Sequence, residues 1–131
     1  MENIYEELFE KAKKASENAY CPYSKFPVGA SILYESNNIY TGCNVENVSF
    51  GLTLCAERNA MAAAVSAGEK TGIKAIAIYS PKQKECMPCG ACRQWLNEFA
   101  SNEELKIILE GENELTILTL KEIFPHGFKF N

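Results

Sequence analysis

The chain has 131 residues, of which 47% are hydrophobic, and this length suits one compact domain over residues 1–131 with a core that needs no disulfide bonds. A formal net charge of −4 argues against a binding surface for the backbone of DNA or RNA, which requires clustered Lys and Arg residues. No stretch reaches the roughly 18–20 apolar residues of a membrane helix, and the N-terminal residues lack the apolar run of a signal peptide, so we expect a cytoplasmic protein with no membrane partner.

The first half of the chain predicts a helix followed by a β-hairpin. Apolar residues recur at spacings of three and four across Glu2–Ala19, between charged neighbours, which is typical of an amphipathic helix. Pro22 ends this pattern because a proline ring disfavours the helical conformation in the residue before it. Two apolar runs, Val28–Tyr34 and Asn38–Cys43, then flank the turn residues 35–37 and predict two paired strands.

The second half predicts helices that alternate with strands. The alanine-rich run Cys55–Ala67 indicates a helix, and Gly68 suits the left-handed residue that follows such a helix. Ile73–Tyr79 is a nearly continuous apolar run, which favours a strand buried on both faces. The segment Cys89–Ala100 indicates the next helix.

The last part of the chain predicts a second hairpin and a short terminal helix. Strands Leu105–Leu109 and Leu115–Leu118 flank the turn residues GEN, Thr119 is a candidate N-cap for the helix, and Pro125 ends it. The order helix, hairpin, helix, strand, helix, strand, strand predicts a three-layer α/β fold, in which helices cover both faces of a mixed five-stranded sheet.

The chain has six cysteines and a single histidine, His126. Cytosolic thiols stay reduced, so metal binding or catalysis is a better prediction for these cysteines than disulfide bonds. We expect Cys21 and Cys43 to be packing residues, because a free cysteine behaves as a small hydrophobe, and His126 to lie in a surface turn. The others are Cys55, Cys86, Cys89 and Cys92.

Three of these cysteines form a candidate zinc site. Cys89 and Cys92 make a Cys-x-x-Cys pair that begins 34 residues after Cys55. Each group lies at the predicted start of a helix, where unpaired N–H groups and partial positive charge stabilise thiolates. Two helix starts that face each other would bring the three sulfurs together. Three protein ligands leave a fourth zinc position open, as in catalytic sites.

A glutamate and two arginines accompany these cysteines in the sequence. Glu57 comes two residues after Cys55, so we expect its carboxylate near the metal as a group that takes and returns a proton. Arg58 and Arg93 can each donate hydrogen bonds to the thiolates and so withdraw charge from the sulfurs, and of the two we expect Arg58 to do this.

Spacing alone leaves a structural metal site open. Cys86, Cys89 and Cys92 share a Cys-x-x-Cys-x-x-Cys spacing, and with Cys55 they would make a closed four-cysteine zinc site. The triplet also resembles part of an iron–sulfur motif, although no fourth cysteine follows at the ferredoxin spacing. The glutamate and arginine after Cys55 have no role in either alternative. These spacings leave Cys86 open as a ligand, although we expect it to be a buried or spare thiol.

The segments CAER at 55–58 and PCGACRQ at 88–94 together resemble the small homotetrameric cytidine deaminases, in the subgroup where a cysteine replaces the histidine of the H-x-E…P-C-x-x-C signature. The resemblance is dense from Tyr20 to Gln94 and weaker towards the C-terminus. It implies the cytidine deaminase-like fold, a Zn²⁺ cofactor, a pyrimidine nucleoside substrate and a homotetramer with shared active sites.

The resemblance also implies residues that hold the nucleoside. The segment PYSKFPVGA resembles the family segment whose phenylalanine packs against the pyrimidine, which is Phe26 here, although a core position is the alternative. In GCNVEN, Asn44 and Glu46 would bind the sugar 3′-hydroxyl, although such polar residues are usually just part of a loop after a strand. The backbone N–H of Ala56 would donate to the pyrimidine carbonyl oxygen.

Two further positions follow from the resemblance. The family places a C-terminal aromatic residue in a neighbouring subunit's site, and Phe128 is the best match, with Phe124 and Phe130 as competitors. Phe50 stands where many relatives have tyrosine, so any hydroxyl contact at that position is lost.

The activity that the resemblance implies is hydrolytic deamination of cytidine and deoxycytidine to uridine and deoxyuridine with release of ammonia, as in pyrimidine salvage. Three alternatives are a deaminase of another amino-pyrimidine nucleoside, an RNA- or DNA-editing deaminase, and a non-catalytic zinc-binding module. The segments SKF and NVEN weigh against the first, and the acidic charge weighs against the second, because single-strand binding needs a basic groove. A turnover assay with zinc quantitation separates the third from the main hypothesis.

Overall fold

The computed structural model describes residues 2–129 and contains a mixed sheet with helices on both of its faces. The helices are α1 (Glu2–Ser16), α2 (Ala56–Ser66), α3 (Gly90–Phe99) and α4 (Leu120–Ile123), with a short 3₁₀ helix at Phe50–Leu52. The strands are β1 (Gly29–Tyr34), β2 (Ile39–Cys43), β3 (Ile73–Tyr79), β4 (Lys106–Glu110) and β5 (Leu115–Thr119). The predicted α/β class and the five-stranded sheet are confirmed. Within residues 2–129, every helix is too short or too polar to cross a bilayer.

The sheet has the strand order β2–β1–β3–β4–β5. β1 pairs antiparallel with both β2 and β3, β3 pairs parallel with β4, and β4 pairs antiparallel with β5. The pairs β1–β2 and β4–β5 are hairpins, whereas β3 and β4 are parallel because helix α3 carries the chain back between them. Buried residues of α2 and α3 belong to the same core cluster, so both helices pack on one face of the sheet.

Each face of the sheet packs against a different set of helices. Neighbouring residues of a strand point to opposite faces, so Ile32 and Ile107 join the buried residues of α2, α3 and α4 in the larger core. Leu33 and Ile108 pack on the other face against Leu8 and other apolar residues of α1. Strand β3 is buried on both faces, as its apolar sequence predicted.

Helix α1 ends at Ser16 instead of the predicted Ala19. The next N–H groups donate to carbonyls three residues back, and the Ser16 hydroxyl donates to the Lys13 carbonyl at 2.6 Å, so the helix closes in a tight last turn. The chain then leaves the helix because the Tyr20 N–H donates to the Asn44 carbonyl at 3.0 Å. That partner is distant in sequence, so local periodicity could not predict this end.

The other predicted boundaries agree with the observed ones to within one residue. Gly68, just after α2, has a φ of 109°, a backbone conformation that favours glycine. Thr119 caps α4, because the Glu122 N–H donates to its Oγ1 at 3.2 Å and its own N–H donates to Glu122 Oε1 at 2.7 Å. These caps were predictable because they depend on residues close in sequence.

Gly42 in β2 lets helix α2 lie directly against the edge of the sheet. A Cβ atom at this position would come within 2.5 Å of the Ala60 nitrogen and 2.7 Å of the Ala56 carbonyl oxygen. Both atoms belong to the backbone of a helix and cannot move aside as a flexible side chain would. Asn59 of α2 adds a hydrogen bond to the Cys43 carbonyl at 2.7 Å. The absence of a side chain at Gly42 therefore allows the backbone of α2 to pack closely against β2.

We expect Gly42→Ala to lower the free energy of unfolding by about 1–3 kcal/mol, the usual cost of forcing extra volume into a packed interior. Gly51→Ala is the matched control, because nothing lies within 4 Å of a Cβ atom at that position. Urea denaturation followed by circular dichroism measures both variants. Equal stability of the two would contradict the close packing of β2 against α2.

Candidate active site

Three cysteine sulfurs converge where helices α2 and α3 begin. Cys55 is the N-cap residue of α2, Cys89 is the N-cap residue of α3, and Cys92 lies in the first turn of α3. The Sγ atoms of Cys55 and Cys89 are 3.9 Å apart, and all three Sγ atoms lie within 4.8 Å of one another. The fold thus brings the three candidate ligands to one place.

The sulfur separations fit a zinc ion. Zinc–sulfur bonds of about 2.3 Å in tetrahedral geometry place ligand sulfurs about 3.8 Å apart, which is close to the 3.9 Å between Cys55 and Cys89. Cys86 is not part of the metal-ligating cluster found in the described part of the chain, so a closed four-cysteine site does not form there. Three thiolates suit Zn²⁺ and leave a coordination position for water or substrate.

The local electrostatics favour a thiolate at Cys55. In neither α2 nor α3 does the N-cap cysteine make a side-chain capping hydrogen bond, so the first N–H groups of both helices remain to stabilise negative charge at the sulfurs. Hydrogen bonds with Cys92 and Arg58 lower the pKa of Cys55 to about 5, although burial acts in the opposite direction. The hydrogen bond to Cys55 and burial raise the pKa of the Cys92 thiol, so a bound cation has to displace the proton from this group.

Arg58 is the arginine that contacts the sulfurs. Its Nη2 donates to Cys55 Sγ at 3.2 Å. Arg93 has another use, because its Nε donates to the Pro88 carbonyl at 2.8 Å and its Nη1 donates to the Ile123 carbonyl at 2.7 Å. Arg93 therefore joins the loop before α3 to the end of α4, a role that its place beside a ligand in the sequence did not suggest.

We expect Arg58→Gln to weaken zinc binding by about 10–100-fold, the usual effect of removing a hydrogen-bond partner of a metal ligand. The reason is that Cys55 loses a charged donor and its pKa rises. Arg58→Lys keeps the charge without the planar donor fork and should fall between wild type and Arg58→Gln. Competition with a chromogenic chelator measures the three affinities. Wild-type affinity in Arg58→Gln would show that this contact does not support the thiolate.

Glu57 lies in the first turn of α2 and is only 4% exposed. Burial raises the pKa of its carboxyl group to about 7, and the negative charge at Cys55 acts in the same direction. Burial and the nearby Glu57 charge also raise the pKa of the Cys86 thiol to about 11, so Cys86 is a protonated, partly buried neighbour of the carboxyl group. A carboxyl group with a pKa near neutrality can both take and return a proton.

A strip of paired segments lies beside the start of α2. Val45 pairs with Leu54, directly before the N-cap of α2, through two backbone hydrogen bonds of 2.9 Å. Val45 also forms a parallel bridge with Tyr20. As a result, the segments that carry the candidate pyrimidine and sugar residues lie next to the cysteine-bearing end of α2, although they are far apart in sequence.

Asn44 holds the backbone of the segment that carries Phe26. Its Nδ2 donates to the Phe26 carbonyl at 2.9 Å, and its Oδ1 accepts from the Val28 N–H at 2.9 Å. Any contact from this 8% exposed side chain to a sugar must therefore use the remaining hydrogen and lone pair of the amide. Phe26 is half-buried and belongs to neither core cluster of residues 2–129, so it does not take the core position considered as its alternative.

The carboxylate of Glu46 is hydrogen-bonded to the same segment, at residues 23 and 24. Its Oε1 accepts from the N–H groups of Tyr23 and Ser24 at 3.1 and 3.2 Å, and its Oε2 accepts from the Ser24 hydroxyl. The Ser24 hydroxyl is the main cause that lowers the pKa of Glu46, so this carboxylate is ionised at neutral pH. A cleft of about 220 Å³ lies beside it, lined also by Phe50 and Thr53. Ser24 was missed in the sequence because a serine in a loop is not distinctive.

The C-terminal segment displays an aromatic side chain. Phe128 is 65% exposed, and its backbone is hydrogen-bonded to the Gln94 side chain of α3. Phe124 packs against the larger core instead. Phe130 lies outside the described residues. Of the two described candidates, Phe128 is therefore the one on the surface.

The other residues noted in the sequence are exposed or partly buried. The Phe50 ring is exposed and lies 5.6 Å from the Tyr23 ring, centroid to centroid, at an angle of 58°. Cys21 and Cys43 are partly buried thiols, and burial raises the pKa of Cys43, with Cys21 as a second cause. His126 is exposed in a turn.

Comparison with known proteins gives a consistent result. Residues 2–108 match the family model described as the cytidine and deoxycytidylate deaminase zinc-binding region. The chain is 42% identical over 123 residues to the cytidine deaminase of Sporosarcina psychrophila, an alignment that covers 94% of this chain and 90% of that protein.

Solved structures show the same similarity. The crystal structure of cytidine deaminase from Burkholderia pseudomallei matches with a TM-score of 0.86 and 38% identity, over 94% of this chain and 98% of that one. The crystal structure of cytidine deaminase from Mycobacterium tuberculosis matches with a TM-score of 0.83 and 39% identity, over 96% of this chain and 98% of that one. The sequence and structural similarities therefore both extend well beyond the cysteine motifs.

Proposed function

This chain belongs to the cytidine and deoxycytidylate deaminase family, and from that premise we propose that it is a zinc-dependent enzyme that deaminates cytidine and deoxycytidine. One water is consumed and one ammonia released for each nucleoside converted to uridine or deoxyuridine. The observation that carries this proposal is the buried Glu57 carboxyl group beside a cluster of three sulfurs. A structural zinc site has four protein ligands and no use for a buried acid.

Cys55, Cys89 and Cys92 would hold the zinc ion. Bound there, zinc supplies a Lewis acid that activates water at neutral pH. Three thiolates and one divalent ion carry one net negative charge, which would reduce that acidity. Arg58 and the N-termini of α2 and α3 offset the charge by donating to the sulfurs or lying beside them.

We assign the proton transfers to Glu57. Its carboxylate takes a proton from the attacking water and gives it to N3 of the pyrimidine ring. As the water oxygen bonds to C4, Glu57 takes the remaining proton of the new hydroxyl group and passes it to the exocyclic amino group. The C4–N bond then breaks, which releases ammonia and leaves the C4 carbonyl. Both directions of transfer are supported by the pKa of about 7, and burial keeps bulk water away from the carboxyl group.

Four residues are proposed to hold the nucleoside. The Ala56 N–H at the start of α2 donates to the pyrimidine carbonyl oxygen, and the Phe26 ring packs against the pyrimidine. Asn44 and Glu46 bind the sugar 3′-hydroxyl. The support for this is their place in the strip beside α2, where their hydrogen bonds to the 23–28 segment hold them in position before substrate binds.

We also propose that the chain acts as a single deaminase domain over residues 1–131 and assembles as a homotetramer with shared active sites. Large apolar side chains are exposed around the strip, which is typical of a surface that another copy covers. They are Tyr20, Val45, Val48, Phe50, Leu52 and Leu54. Size-exclusion chromatography with light scattering tests the tetramer. A monomeric mass at the protein concentration used in the activity assay would contradict it.

A role in pyrimidine salvage in the cytoplasm completes the proposal. All six cysteines are free thiols, which suits a reducing compartment. The deamination of free nucleosides is a reaction that returns pyrimidines for reuse. Growth of a pyrimidine auxotroph on cytidine when it expresses this chain is the expected result, and failure to grow with active enzyme present would contradict the role.

The deciding experiment is an ultraviolet assay of cytidine, deoxycytidine and cytosine together with zinc quantitation. We expect both nucleosides to be converted and free cytosine to be left, because Asn44 and Glu46 can act only on a sugar. Zinc-loaded protein that left both nucleosides unchanged would contradict the proposal. Conversion of a different amino-pyrimidine nucleoside alone would favour a related deaminase, since the zinc chemistry would be the same.

A further inference from the structure

The side chain of Gln94 forms a two-point hydrogen bond with the backbone of Phe128. Its Nε2 donates to the Phe128 carbonyl oxygen at 2.7 Å, and its Oε1 accepts from the Phe128 N–H at 3.2 Å. A side-chain amide can do this because it carries a donor and an acceptor in one plane, as a neighbouring strand does. Both backbone polar groups of Phe128 are therefore bound to helix α3.

One more hydrogen bond and one close packing contact also hold this segment against α3. Asn97, one turn further along α3, also donates to the Phe128 carbonyl, at 3.2 Å. The segment is tight at Gly127, where a Cβ atom would come within 2.7 Å of both Asn97 and Phe124. Beside this tight contact, a cavity of about 420 Å³, lined among others by Ser101, Glu103 and Lys129, separates the segment from the α3–β4 connection.

The helix that holds Phe128 also carries two of the zinc ligands. Cys89 is the N-cap residue of α3, Cys92 lies in its first turn, and Gln94 follows two residues later. A hydrogen-bonded helix is stiff over this distance, so the place of the Phe128 backbone is set relative to the zinc site of its own subunit. The Phe128 side chain is 65% exposed and so projects from the surface that α3 defines.

We propose that Gln94 is a positioning residue that aims the Phe128 ring at the nucleoside bound in a neighbouring copy of this chain. This inference rests on the proposed function, in which the subunits of a homotetramer share their active sites. Gln94 acts through Phe128 and touches neither zinc nor substrate. Its loss leaves the zinc and Glu57 of its own subunit in place and weakens nucleoside binding in the adjacent site.

The first test is the Gln94→Glu variant. The change preserves the length of the side chain and its acceptor, but it removes the donor and places a carboxylate against the Phe128 carbonyl oxygen. We expect KM for cytidine to rise about tenfold and kcat to stay within about twofold, with full zinc content. Gln83→Glu makes the same charge change at an exposed loop position and should match wild type.

A double variant separates positioning from general stability. If Gln94 acts through Phe128, then Gln94→Glu combined with Phe128→Ala has the KM of Phe128→Ala alone. Multiplied effects on KM would overturn the proposal. Should Gln94→Glu fail to fold, Gly127→Ala disturbs the same segment at its tight contact with Asn97 and must show the same dependence on Phe128.

Mixed assemblies test whether the effect crosses to another subunit. A Phe128→Ala chain co-expressed with a large excess of Glu57→Ala chain has active sites that can receive Phe128 only from inactive neighbours. We expect wild-type KM in this mixture. Gln94→Glu should abolish the recovery when it is placed on the Glu57→Ala chain and leave it intact when it is placed on the Phe128→Ala chain.

The outcomes separate this inference from the proposed function. If the wild-type protein converts cytidine but Phe128→Ala has an unchanged KM, the role of Gln94 is overturned and the deaminase activity stands. A wild-type protein that binds zinc and converts no nucleoside would contradict the proposed function itself. Recovery that does not depend on which chain carries Gln94→Glu would overturn the action across subunits.

Discussion

Glu57→Gln is expected to keep zinc and to lower kcat for cytidine by about 10²–10⁴-fold, the usual contribution of a group that transfers protons. Glutamine matches glutamate in size, but its amide cannot take a proton from water and return it to the substrate. The Glu57 residue is only 4% exposed, so the isosteric change preserves its packing and the melting temperature should not fall. The measurements are kcat and zinc content on the same sample.

Glu98→Gln is the matched control for this experiment. It makes the same chemical change at an exposed position of α3 and should leave kcat unchanged. Near-normal turnover by zinc-loaded Glu57→Gln would remove Glu57 from the proton transfers. Loss of zinc from Glu57→Gln would instead make the carboxylate part of the metal site, contrary to the three-sulfur assignment.

Cys89→Ser is expected to lose zinc and activity together. Removing an outer hydrogen-bond partner of a metal ligand already costs about 10–100-fold in affinity, and replacing a ligand should cost at least about 100-fold. Cys89 is exposed, so its substitution tests the metal site without opening a cavity in the core. Zinc per chain after dialysis against a weak chelator, measured by atomic absorption, is the readout.

Cys86→Ala decides between the open and the closed zinc site. Cys86 lies three residues before Cys89 but outside the sulfur cluster of the described chain, so this variant should keep its zinc. Some loss of stability is acceptable, because Cys86 packs against the larger core. If Cys86→Ala released zinc as readily as Cys89→Ser, the site would have four protein ligands and the catalytic assignment would lose its open position.

Much of the fold was predictable because helices and strands leave local patterns. Strand β3 was predicted with its observed ends, since a continuous apolar run bounded by polar residues is sufficient for a strand inside a sheet. Helix α1 was predicted too long because its end depends on the hydrogen bond from Tyr20 to Asn44, whose separation in sequence no periodicity records. The strand order likewise depends on contacts between distant segments.

The residues of the candidate site also fall into those that the sequence predicted and those whose contacts only the structure shows. The sequence placed Cys55 and Cys89 at helix starts, and the structure places them at the N-caps of α2 and α3. In the sequence both arginines could donate to the sulfurs and Arg58 was the expected donor. The structure shows Arg58 at a sulfur and Arg93 at the carbonyls of Pro88 and Ile123. No local signal in the sequence indicated the hydrogen bonds of Arg93, because the Pro88 and Ile123 carbonyls belong to different parts of the chain.

The sequence by itself determined the helices and strands, the three thiols and the acid two residues after the first of them. These follow from periodicity, helix starts and spacing, all of which are properties of short segments. Only the tertiary structure decided that three sulfurs come within 4.8 Å without Cys86, that Asn44 and Glu46 anchor the 23–28 segment, and that Gln94 holds Phe128. The physical reason is that such contacts join residues brought together by the sheet order and by helix packing, which no single segment specifies.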